Sequence, residues 1–471
     1  MMNWAKLRWL LVLSFLWIAG PILAQMPQVI RGADERFKAD ILVVVAHPDD
    51  EGGVTPYLAR AIYDERKRVA VVFGTRGGSG ANEYGREHGP AMADIREVEA
   101  REACAKLGIS HVWFLDGKDT ASQNVLNSLA NWGHGASLEK LVGLVRLTRP
   151  EVVISWLPGV FIGENHGDHQ AAGALATEAF DLAGDPVAFP AQVAGDSKRL
   201  EPYLENLQPW QPKKIYYFSD AQEDKQFAGK GPSYSVRQIS PSQQKPYWRL
   251  AMDAALPHRT QFSGEIERIS HLSDAELDKI MGDPNSAWWT EPETLIFGKS
   301  LVGGAPTDDV FANIKSGAVI RGAHAGKPSE RDSAPRTEIV MGGPWQFYAQ
   351  FLVAHGLENV PKASTPEIAV KAGSTLLVPL VIRHADWSQA MKVNLKVEAP
   401  SGWKAASGQG ELVLPAETST ALRVEIETPV LTAEELKKTM PQEVTIHAEA
   451  DGHSMGEVKL RVLLRPNALP Q

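Results

Sequence analysis

Four mostly apolar runs, separated by segments with helical spacing, constrain the fold of residues 39 to about 220 more than any other feature. The runs read ADILVVVA, VAVVFG, SHVWFL and EVVISW. A run that is apolar at every position indicates a strand covered on both faces, because a strand covered on one face alternates with polar residues. The βαβα order therefore predicts an α/β fold with a parallel sheet and helices on both faces.

The segments between these runs predict the helices of the same fold. They read GVTPYLARAIYDERKR, MADIREVEAREACAKLG and SLEKLVGLVRLTRP. We expect Gly108 to end the second helix as a C-cap and Ser137 to begin the third as an N-cap. The run KKIYYFS at residues 213–219 is a candidate for one further strand.

The rest of the chain changes character twice, and its 471 residues predict two or three domains. Residues 220 to about 345 are rich in Pro, Gly, Gln and Trp, with helices expected in KPYWRLAMDAALPHRTQ and SDAELDKIMGD. From about residue 364, period-two alternation predicts an all-β sandwich of about seven strands. The expected domains are an α/β domain over 25–265, a cap region over 266–360 and an immunoglobulin-like β-sandwich over 364–471.

The first 24 residues read as a secretory signal peptide. Lys6 and Arg8 precede the apolar stretch WLLVLSFLWIAG, and the segment ends in the small residue Ala24. Such a stretch is too short to remain as a membrane anchor. We therefore expect a periplasmic or secreted protein without a stable membrane anchor.

Composition narrows the possible partners and metal ligands. The formal net charge of −9 argues against nucleic acid as the main partner. Cys104 is the single cysteine, which excludes an intramolecular disulfide and a cysteine-based zinc site. We interpret it as a buried apolar residue, so any metal must be held by His, Asp or Glu. The oligomeric state stays open.

Two clusters of titratable residues follow the first and fourth predicted strands. HPDDE occupies residues 47–51, and HGDH occupies residues 166–169. Ligands of open parallel sheets bind beyond the carboxyl ends of the strands, so both clusters are expected at one edge of the sheet. Each motif alone also has a plainer interpretation: Asp49 or Asp50 could cap the next helix, and HxxH could be a solvated helix start.

Together the clusters can form a catalytic metal site. His47, Asp50 and His169 would give three protein ligands, which leaves a fourth position open for water. Asp49 or Asp168 could accept a proton, and a protonated His166 could stabilise an oxyanion. Zn²⁺ suits this donor set, although another divalent metal such as Fe²⁺ or Mn²⁺ also does.

AHPDDE followed by HGDH resembles the PIG-L/LmbE family of zinc-dependent de-N-acetylases. The resemblance covers roughly residues 38–265 and includes GTRGGSG, REVEAREACAKLG, WFLDGKD and LPHRTQ. It implies a Rossmann-like fold and removal of acetyl from N-acetylglucosamine groups. The substrate would be a small molecule or a glycan with an N-acetyl group.

The resemblance also implies residue roles. His47, Asp50 and His169 would bind zinc, and Asp49 would be the general base that activates a zinc-bound water to attack the amide carbonyl. His166 would be the cationic partner of the tetrahedral intermediate, and Asp168 would orient a histidine. The expected substrate-binding residues are Arg76, Arg96, His258 and Asp119, with Asp116 as a rival to Asp119.

This chain departs from the family pattern at two places. The family often has Thr-Arg-Gly-Glu after the second strand, whereas Gly78 stands here after Arg76 and Gly77, so one substrate contact is expected to be lost. Relatives can also have a Tyr where this chain has Glu164. Substrate identity is therefore the least constrained part of the resemblance.

Two aromatic and β-rich features leave alternatives open. Trp288 and Trp289 could stack on sugar rings or pack under the cap. The sandwich resembles the module appended to bacterial α-galactosidases, and it could bind carbohydrate or only space and stabilise the enzyme.

We expect a secreted zinc-dependent hydrolase of an N-acetylated amino sugar. The alternatives are an amidase for another N-acyl substrate and a non-catalytic glycan-binding protein.

Overall fold

The computed structural model describes residues 34–161, 165–193, 207–221, 227–284, 286–315, 337–363, 365–383, 389–416 and 419–471. The predicted signal peptide over 1–24 and the question of Glu164 lie outside these residues. Within the described ranges, no helix is both long enough and apolar enough to cross a bilayer.

A mixed sheet, parallel except at one edge, forms the centre of the α/β domain. Its strands, and those of a small two-stranded sheet, are β1 (Ile41–Val45), β2 (Val69–Thr75), β3 (His111–Gly117), β4 (Val152–Trp156), β5 (Lys214–Phe218), β6 (Ser233–Tyr234), β7 (Glu293–Thr294) and β8 (Ile296–Ser300). The order is β3-β2-β1-β4-β5-β8, where only β8 is antiparallel, and β6 pairs with β7. The strand expected at 213–219 is present as β5.

Helices cover both faces of this sheet. They are α1 (Thr55–Tyr63), α2 (Pro90–Lys106), α3 (Val125–Asn131), α4 (His134–Thr148), α5 (Gly167–Leu182), α6 (Tyr247–Ala255), α7 (Arg259–Ser270) and α8 (Asp274–Met281). Every residue of β1, β2, β4 and β5 is buried. The predicted α/β class is therefore confirmed, although β3, at the edge of the sheet, is only partly buried.

Both predicted helix caps lie elsewhere: α2 has Leu107 as its C-cap, with Gly108 just beyond it, and α4 begins before Ser137. Helix α4 begins at His134 with Gly133 as its N-cap, so the prediction of Ser137 as N-cap was wrong. Gly133 adopts a positive φ of 63°, which lets the chain turn directly from α3 into α4. Ser137 lies one turn inside the helix, where its hydroxyl donates to the carbonyl of Trp132 at 2.6 Å.

The cap region is tied to the α/β domain rather than separate from it. Strand β8 adds to the edge of the main sheet, and Glu293 Oε2 accepts from the backbone N–H of Tyr57 at 3.0 Å in the first turn of α1. The region also has a small core of its own, formed by Val236, Trp248, Met252, Ile269, Leu277 and Met281.

The C-terminal region is a sandwich of two sheets, which confirms the predicted all-β architecture. Its strands are β9 (Glu338–Met341), β10 (Glu367–Lys371), β11 (Thr375–Arg383), β12 (Met391–Glu398), β13 (Lys404–Ser407), β14 (Gly410–Leu414), β15 (Ser419–Glu427), β16 (Gln442–Ala450) and β17 (His453–Arg465). The sheet orders are β10-β17-β16-β12-β14 and β13-β15-β11-β9. Helices α9 (Gly343–Ala354) and α10 (Ala433–Leu436) complete the described elements.

The expected cap range of 266–360 mixes parts of both domains. Strand β9 pairs with β11 of the sandwich, whereas Tyr348 and Phe351 of α9 belong to the α/β core. The sandwich thus begins earlier than residue 364, and α9 connects it to the core of the α/β domain. Period-two alternation cannot reveal this, because β9 has only four residues.

Candidate active site

The carboxyl end of β1 presents the HPDDE cluster in a tight turn. Asp49 adopts a φ of 109°, outside the usual range for a residue with a Cβ. Its backbone N–H donates to Glu51 Oε2 at 3.0 Å, and a 3₁₀ turn over Asp50–Val54 leads into α1. The turn therefore projects successive side chains in different directions from one fixed strand end.

Asp50 divides its two carboxylate oxygens between different tasks. Oδ2 accepts from the backbone N–H of Ala46 and of His47, both at 2.9 Å, and from Trp156 Nε1 at 2.8 Å. Oδ1 faces His47 Nδ1 at 3.5 Å and His169 Nε2 at 3.4 Å. Three donors thus fix the carboxylate, and its second oxygen is directed at two imidazole nitrogens.

This arrangement fits a divalent cation. Ligand atoms of His47, Asp50 and His169 all lie within 4.8 Å of one another. The two N···O distances exceed the usual 2.7–3.2 Å of a hydrogen bond, as is expected where lone pairs converge on a common ion. Two imidazoles and a carboxylate suit zinc, iron and related metals, so the donor set alone leaves the metal open.

The other ring nitrogen of His47 meets two further carboxylates. Nε2 lies 3.3 Å from Asp119 Oδ1 and 3.3 Å from Asp168 Oδ2. If Nδ1 faces a cation, Nε2 carries the hydrogen and donates it to these carboxylates, which is the usual support of a metal-binding histidine. Asp168 is fully buried, consistent with the orienting role expected of it.

Backbone N–H groups in the loops after β2 and β3 hold these two carboxylates. The backbone N–H of Thr120 donates to Asp168 Oδ2 at 2.8 Å, and that of Ser79 donates to Asp119 Oδ2 at 2.7 Å. Asp116, the rival to Asp119, instead receives a 3.0 Å bond from Lys140 and is exposed. The structure thus brings Asp119 to the site and leaves Asp116 outside it.

The charges of the cluster are strongly coupled. Burial alone would lower the pKa of His47, but the carboxylates of Asp50, Asp119 and Asp168 outweigh it and hold that pKa well above its ordinary value. Burial would raise the pKa of Asp50, but His169 and His47 hold it well below its ordinary value. A metal must therefore displace a proton from His47 when it binds.

Asp49 is held beside the metal ligands by Arg96. Arg96 Nη2 donates to Asp49 Oδ1 at 3.0 Å and also to the carbonyl of Pro48, while Nη1 donates to Gly77 O at 3.0 Å. Burial raises the pKa of Asp49 to about 6, against the opposing charge of Arg96. A carboxylate with that pKa can exchange protons near neutrality.

Gly77 explains part of the GTRGGSG segment. It adopts a positive φ of 68°, and a Cβ there would lie 2.6 Å from Cζ of Arg96. A larger residue would thus displace the guanidinium that binds Asp49. The glycines of this loop permit close approach of Arg96 rather than forming a phosphate-binding loop.

The HGDH cluster begins helix α5. His166 is its N-cap and accepts from the backbone N–H of Asp168 at 3.3 Å, while His169 stacks on Trp156 with ring centroids 4.1 Å apart. Burial, with His169 and His47 nearby, holds the pKa of His166 well below its ordinary value. This environment favours a neutral imidazole, so the cationic role expected for His166 stays a prediction.

Two of the expected substrate-binding residues occupy different positions. His258 lines the cavity, where its Nε2 meets Glu51 Oε1 at 2.6 Å. Arg76 lies outside the described cavity lining, because its guanidinium turns to helix α2 and donates to Asp94 Oδ1 at 2.8 Å. The expectation that Arg76 contacts substrate is therefore not supported.

These side chains open into a cavity of about 1250 Å³. Its lining includes His47, Asp49 and Asp119, the loop at 79–81 and residues of the cap. Sequence reasoning missed Trp156, Thr120 and Ser79 as parts of the site. Of these three, Trp156 could have been predicted from the sequence, because it ends β4 at the same edge of the sheet as the HPDDE cluster.

Fold and site together define an α/β protein with a candidate divalent-metal centre at the carboxyl ends of its strands. Residues 42–180 match the protein-family model described as PIG-L: GlcNAc-PI de-N-acetylase. This part of the chain is therefore similar to the PIG-L family, which confirms the resemblance noted from its motifs.

Curated relatives share this part of the chain. A 1D-myo-inositol 2-acetamido-2-deoxy-alpha-D-glucopyranoside deacetylase of Thermobifida fusca is 24% identical over 255 residues, which cover 47% of this chain and 82% of that protein. A deacetylase of the same name from Frankia alni is 31% identical over 188 residues, which cover 36% of this chain and 59% of that protein. The similarity thus leaves more than half of this chain unmatched.

Solved structures give weaker likenesses. The conserved protein TT1542 from Thermus thermophilus is 23% identical with a TM-score of 0.38, covering 57% of this chain and all of that one. An N,N'-diacetylchitobiose deacetylase from Pyrococcus horikoshii is 20% identical with a TM-score of 0.38, covering 55% of this chain and 83% of that one.

Proposed function

We propose that this protein is a metal-dependent hydrolase that removes the acetyl group from an N-acetylated amino sugar. One observation carries the proposal: His47, Asp50 and His169 converge within 4.8 Å beside Asp49, in the lining of a large cavity. The family match and the deacetylase relatives support the same reaction class. A non-catalytic glycan-binding protein would have no use for a base beside the metal ligands.

The residues would hold one divalent cation, and we propose Zn²⁺. When bound, such a cation would polarise the amide carbonyl as a Lewis acid and acidify water. The open side of the His₂-carboxylate set faces the cavity, as a catalytic rather than a structural site requires.

Asp49 is the proton acceptor in this proposal. Water adds its oxygen to the acetyl carbonyl carbon while Asp49 takes the water proton. The carbon–nitrogen bond then breaks, the proton passes to the nitrogen, and acetate leaves with a free amine remaining. Arg96 keeps Asp49 oriented through the 3.0 Å contact. Its positive charge also favours the ionised carboxylate, which is the form that can accept a proton.

Asp119 is the best-placed residue for the sugar. It lines the cavity next to His47, and the backbone N–H of Ser79 fixes its second oxygen. A carboxylate accepts from neighbouring sugar hydroxyls without competing for the proton that Asp49 moves. Arg96, the other residue expected to reach the sugar, has its Nη1 and Nη2 committed to Asp49 and to backbone carbonyls.

The test compares Asp49→Asn with Asp116→Asn on the full chain. Bound metal and acetate release from N-acetylglucosamine-type substrates are measured for both variants. We expect Asp49→Asn to keep its metal and to lose at least about 100-fold in kcat, as general-base removal does. Asp116→Asn, an exposed change of the same chemistry, should retain the wild-type values. A chain that binds no stoichiometric metal when Zn²⁺ is supplied would overturn the proposal.

Export belongs to the same proposal. The basic residues and apolar stretch within residues 1–24 support a periplasmic or secreted location. Fractionation of the producing cells, with the mature N-terminus read by mass spectrometry, tests it; full-length protein found in the cytoplasm alone would contradict it.

A further inference from the structure

The cavity that contains the candidate metal centre extends well beyond it, into the cap. The apolar part of its lining, which we term the apolar compartment, consists of Leu256, Phe262, Ile266, Met281, Trp288 and Trp289. The whole cavity measures about 1250 Å³. Sites for small ligands usually measure about 300–1000 Å³, so this one has room for more than a single amino sugar.

The apolar compartment keeps large hydrophobic side chains in contact with solvent. Leu256 is 37% exposed and Phe262 is 39% exposed. Helix α7 departs from helical geometry at Phe262, where φ is −131° and ψ is 26°. Single exposed hydrophobic residues are ordinary, but a group of them in one concave wall marks a binding site for apolar chemistry.

Trp289 joins this compartment to the metal site. Its Nε1 donates to the carbonyl of Gly52 at 2.8 Å, two residues after Asp50. The ring of Trp288 lies at 81° to that of Trp289 with centroids 6.1 Å apart. A group bound against these rings would therefore lie beside the metal centre, where it can belong to the same ligand.

The charged side chains near the compartment bind one another. Arg237 makes two 2.9 Å bonds to Asp278, and its backbone N–H donates to Glu291 at 3.1 Å. Glu265 accepts from Arg268 Nε at 2.8 Å. A sugar chain would need polar partners in this compartment, whereas an alkyl or aryl group needs only the carbon surface that remains.

We propose that the apolar compartment binds an alkyl or aryl group of the substrate, so that the substrate is an N-acylated amino sugar with a hydrophobic substituent. This inference rests on the proposed function and names its substrate class. The apolar group can come from an aglycone or from an acyl chain longer than acetyl. Either source buries methylene groups, each worth about a fourfold change in binding constant.

The first experiment uses the full chain with Zn²⁺ and three probes: N-acetylglucosamine, its octyl β-glycoside, and N-octanoylglucosamine. Release of free amine gives kcat/KM for each. We expect one octyl probe to exceed N-acetylglucosamine by at least about 30-fold, equivalent to two or three buried methylenes, and the probe that does so identifies the source. Equal values for all three would overturn the inference and leave the proposed function in place.

Matched variants tie the preference to the compartment. Phe262→Ser and Leu256→Ser replace partly exposed side chains of its wall, and Val187→Ser is the control, 77% exposed on a loop outside the described cavity lining. We expect the kcat/KM ratio of octyl probe to N-acetylglucosamine to fall at least about fivefold in both wall variants, as the loss of one or two methylene contacts predicts. It should be unchanged in the control, and unchanged ratios in both wall variants would overturn the inference.

A binding measurement separates this inference from the proposed reaction. Calorimetry compares octyl β-glucoside, below its micelle concentration, with glucose on wild type and Phe262→Ser. If no probe releases amine but octyl β-glucoside binds and Phe262→Ser abolishes that binding, the compartment stands and the proposed reaction is overturned. If octyl β-glucoside binds no better than glucose, the inference is overturned whatever the turnover results show.

Discussion

The α/β domain and the β-sandwich place their charged side chains in opposite ways. In the α/β domain, His47, Asp50 and Asp168 are buried at the strand ends and contact one another. In the sandwich, pairs such as Lys392 with Glu411 lie on exposed faces. Buried charges must be matched by neighbours, whereas solvated charges contribute little. The comparison indicates that buried charges in contact with one another form the site of the α/β domain, whereas the apolar core stabilises the sandwich.

The largest expected effect comes from comparing Asp50→Ala with His169→Ala. Each removes one predicted metal ligand, so each should lose stoichiometric metal and more than about 1000-fold in kcat/KM. Asp50→Ala additionally leaves three buried N–H donors without their acceptor, at about 1 kcal/mol each. In metal-free urea unfolding, it should therefore be about 2–3 kcal/mol less stable than His169→Ala.

His134→Ala is the control for both variants. His134 contacts Glu178 at 2.6 Å and is partly exposed, away from the described cavity lining. It should keep its metal and its activity. Equal stability losses in Asp50→Ala and His169→Ala would show that the carboxylate of Asp50 serves the metal alone and not the strand end, which would break the contrast between the domains.

Sequence reasoning predicted the strand-end clusters because their meeting depends only on topology. HPDDE and HGDH follow β1 and β4, and these strands are neighbours in a parallel sheet, so their carboxyl ends must converge. The contact from Trp156 to Asp50 depends on side-chain packing beyond the last paired residues, and no local pattern encodes that.

The two arginines show the same limit. Arg76 and Arg96 both lie near the carboxyl end of β2, and the sequence places each beside the site. Arg96 reaches inward because Gly77 leaves room for its guanidinium, whereas Arg76 is drawn outward to Asp94. The choice depends on the tertiary positions of acidic partners, which a single sequence does not reveal.

Gln123 connects the two domains, because it lies in the loop after β3 and binds the sandwich. Its side-chain amide donates to the carbonyls of Ala369 and Leu469, both at 2.8 Å, and accepts from Ala369 N–H at 2.8 Å. The same loop carries Asp119 and Thr120, which position His47 and Asp168. Gln123→Ala should therefore reduce kcat/KM about tenfold and stability by about 2 kcal/mol, as loss of these buried bonds predicts.

Kinetics and urea unfolding check this prediction, with Gln243→Ala as an exposed control of the same chemistry. If Gln123→Ala lowers stability but leaves kcat/KM unchanged, the sandwich is only a support. If it lowers both, the sandwich is part of the catalytic unit, and removal of the chain from β10 onward should reproduce the kinetic loss.

The buried carboxyl group of Glu293, which binds helix α1 of the α/β domain, should make the stability of the protein depend on pH. Burial raises its pKa to about 8 against the opposing N–H of Tyr57. The folded state keeps a proton that the unfolded state loses above about pH 4.5, so this stability is complete below that pH and is lost as the pH rises to about 8. Glu293→Gln should match wild type at pH 4 and exceed it by about 4 kcal/mol at pH 8.

Urea unfolding of both proteins across this pH range tests the assignment. The stability of the variant should fall less steeply with pH than that of the wild type, because glutamine has no proton to lose. Parallel curves would mean that Glu293 stays charged at neutral pH, held by the first turn of α1, and the contrast between poised and solvated charges would not extend to the cap.

The smallest expected effect lies in the sandwich. Lys396 pairs with Glu398 at 2.8 Å, but the two side chains are 71% and 53% exposed. Lys396→Ala should therefore change stability by less than about 0.5 kcal/mol, and high salt should remove the difference.

Lys213→Ala is the matched contrast, because Lys213 pairs with Glu151 at 2.9 Å with both side chains buried. Its loss leaves the buried carboxylate of Glu151 with only the more distant Lys38, at 4.0 Å, and should cost about 3 kcal/mol with little salt dependence. Similar effects of the two changes would mean that burial does not separate the charges of the two domains.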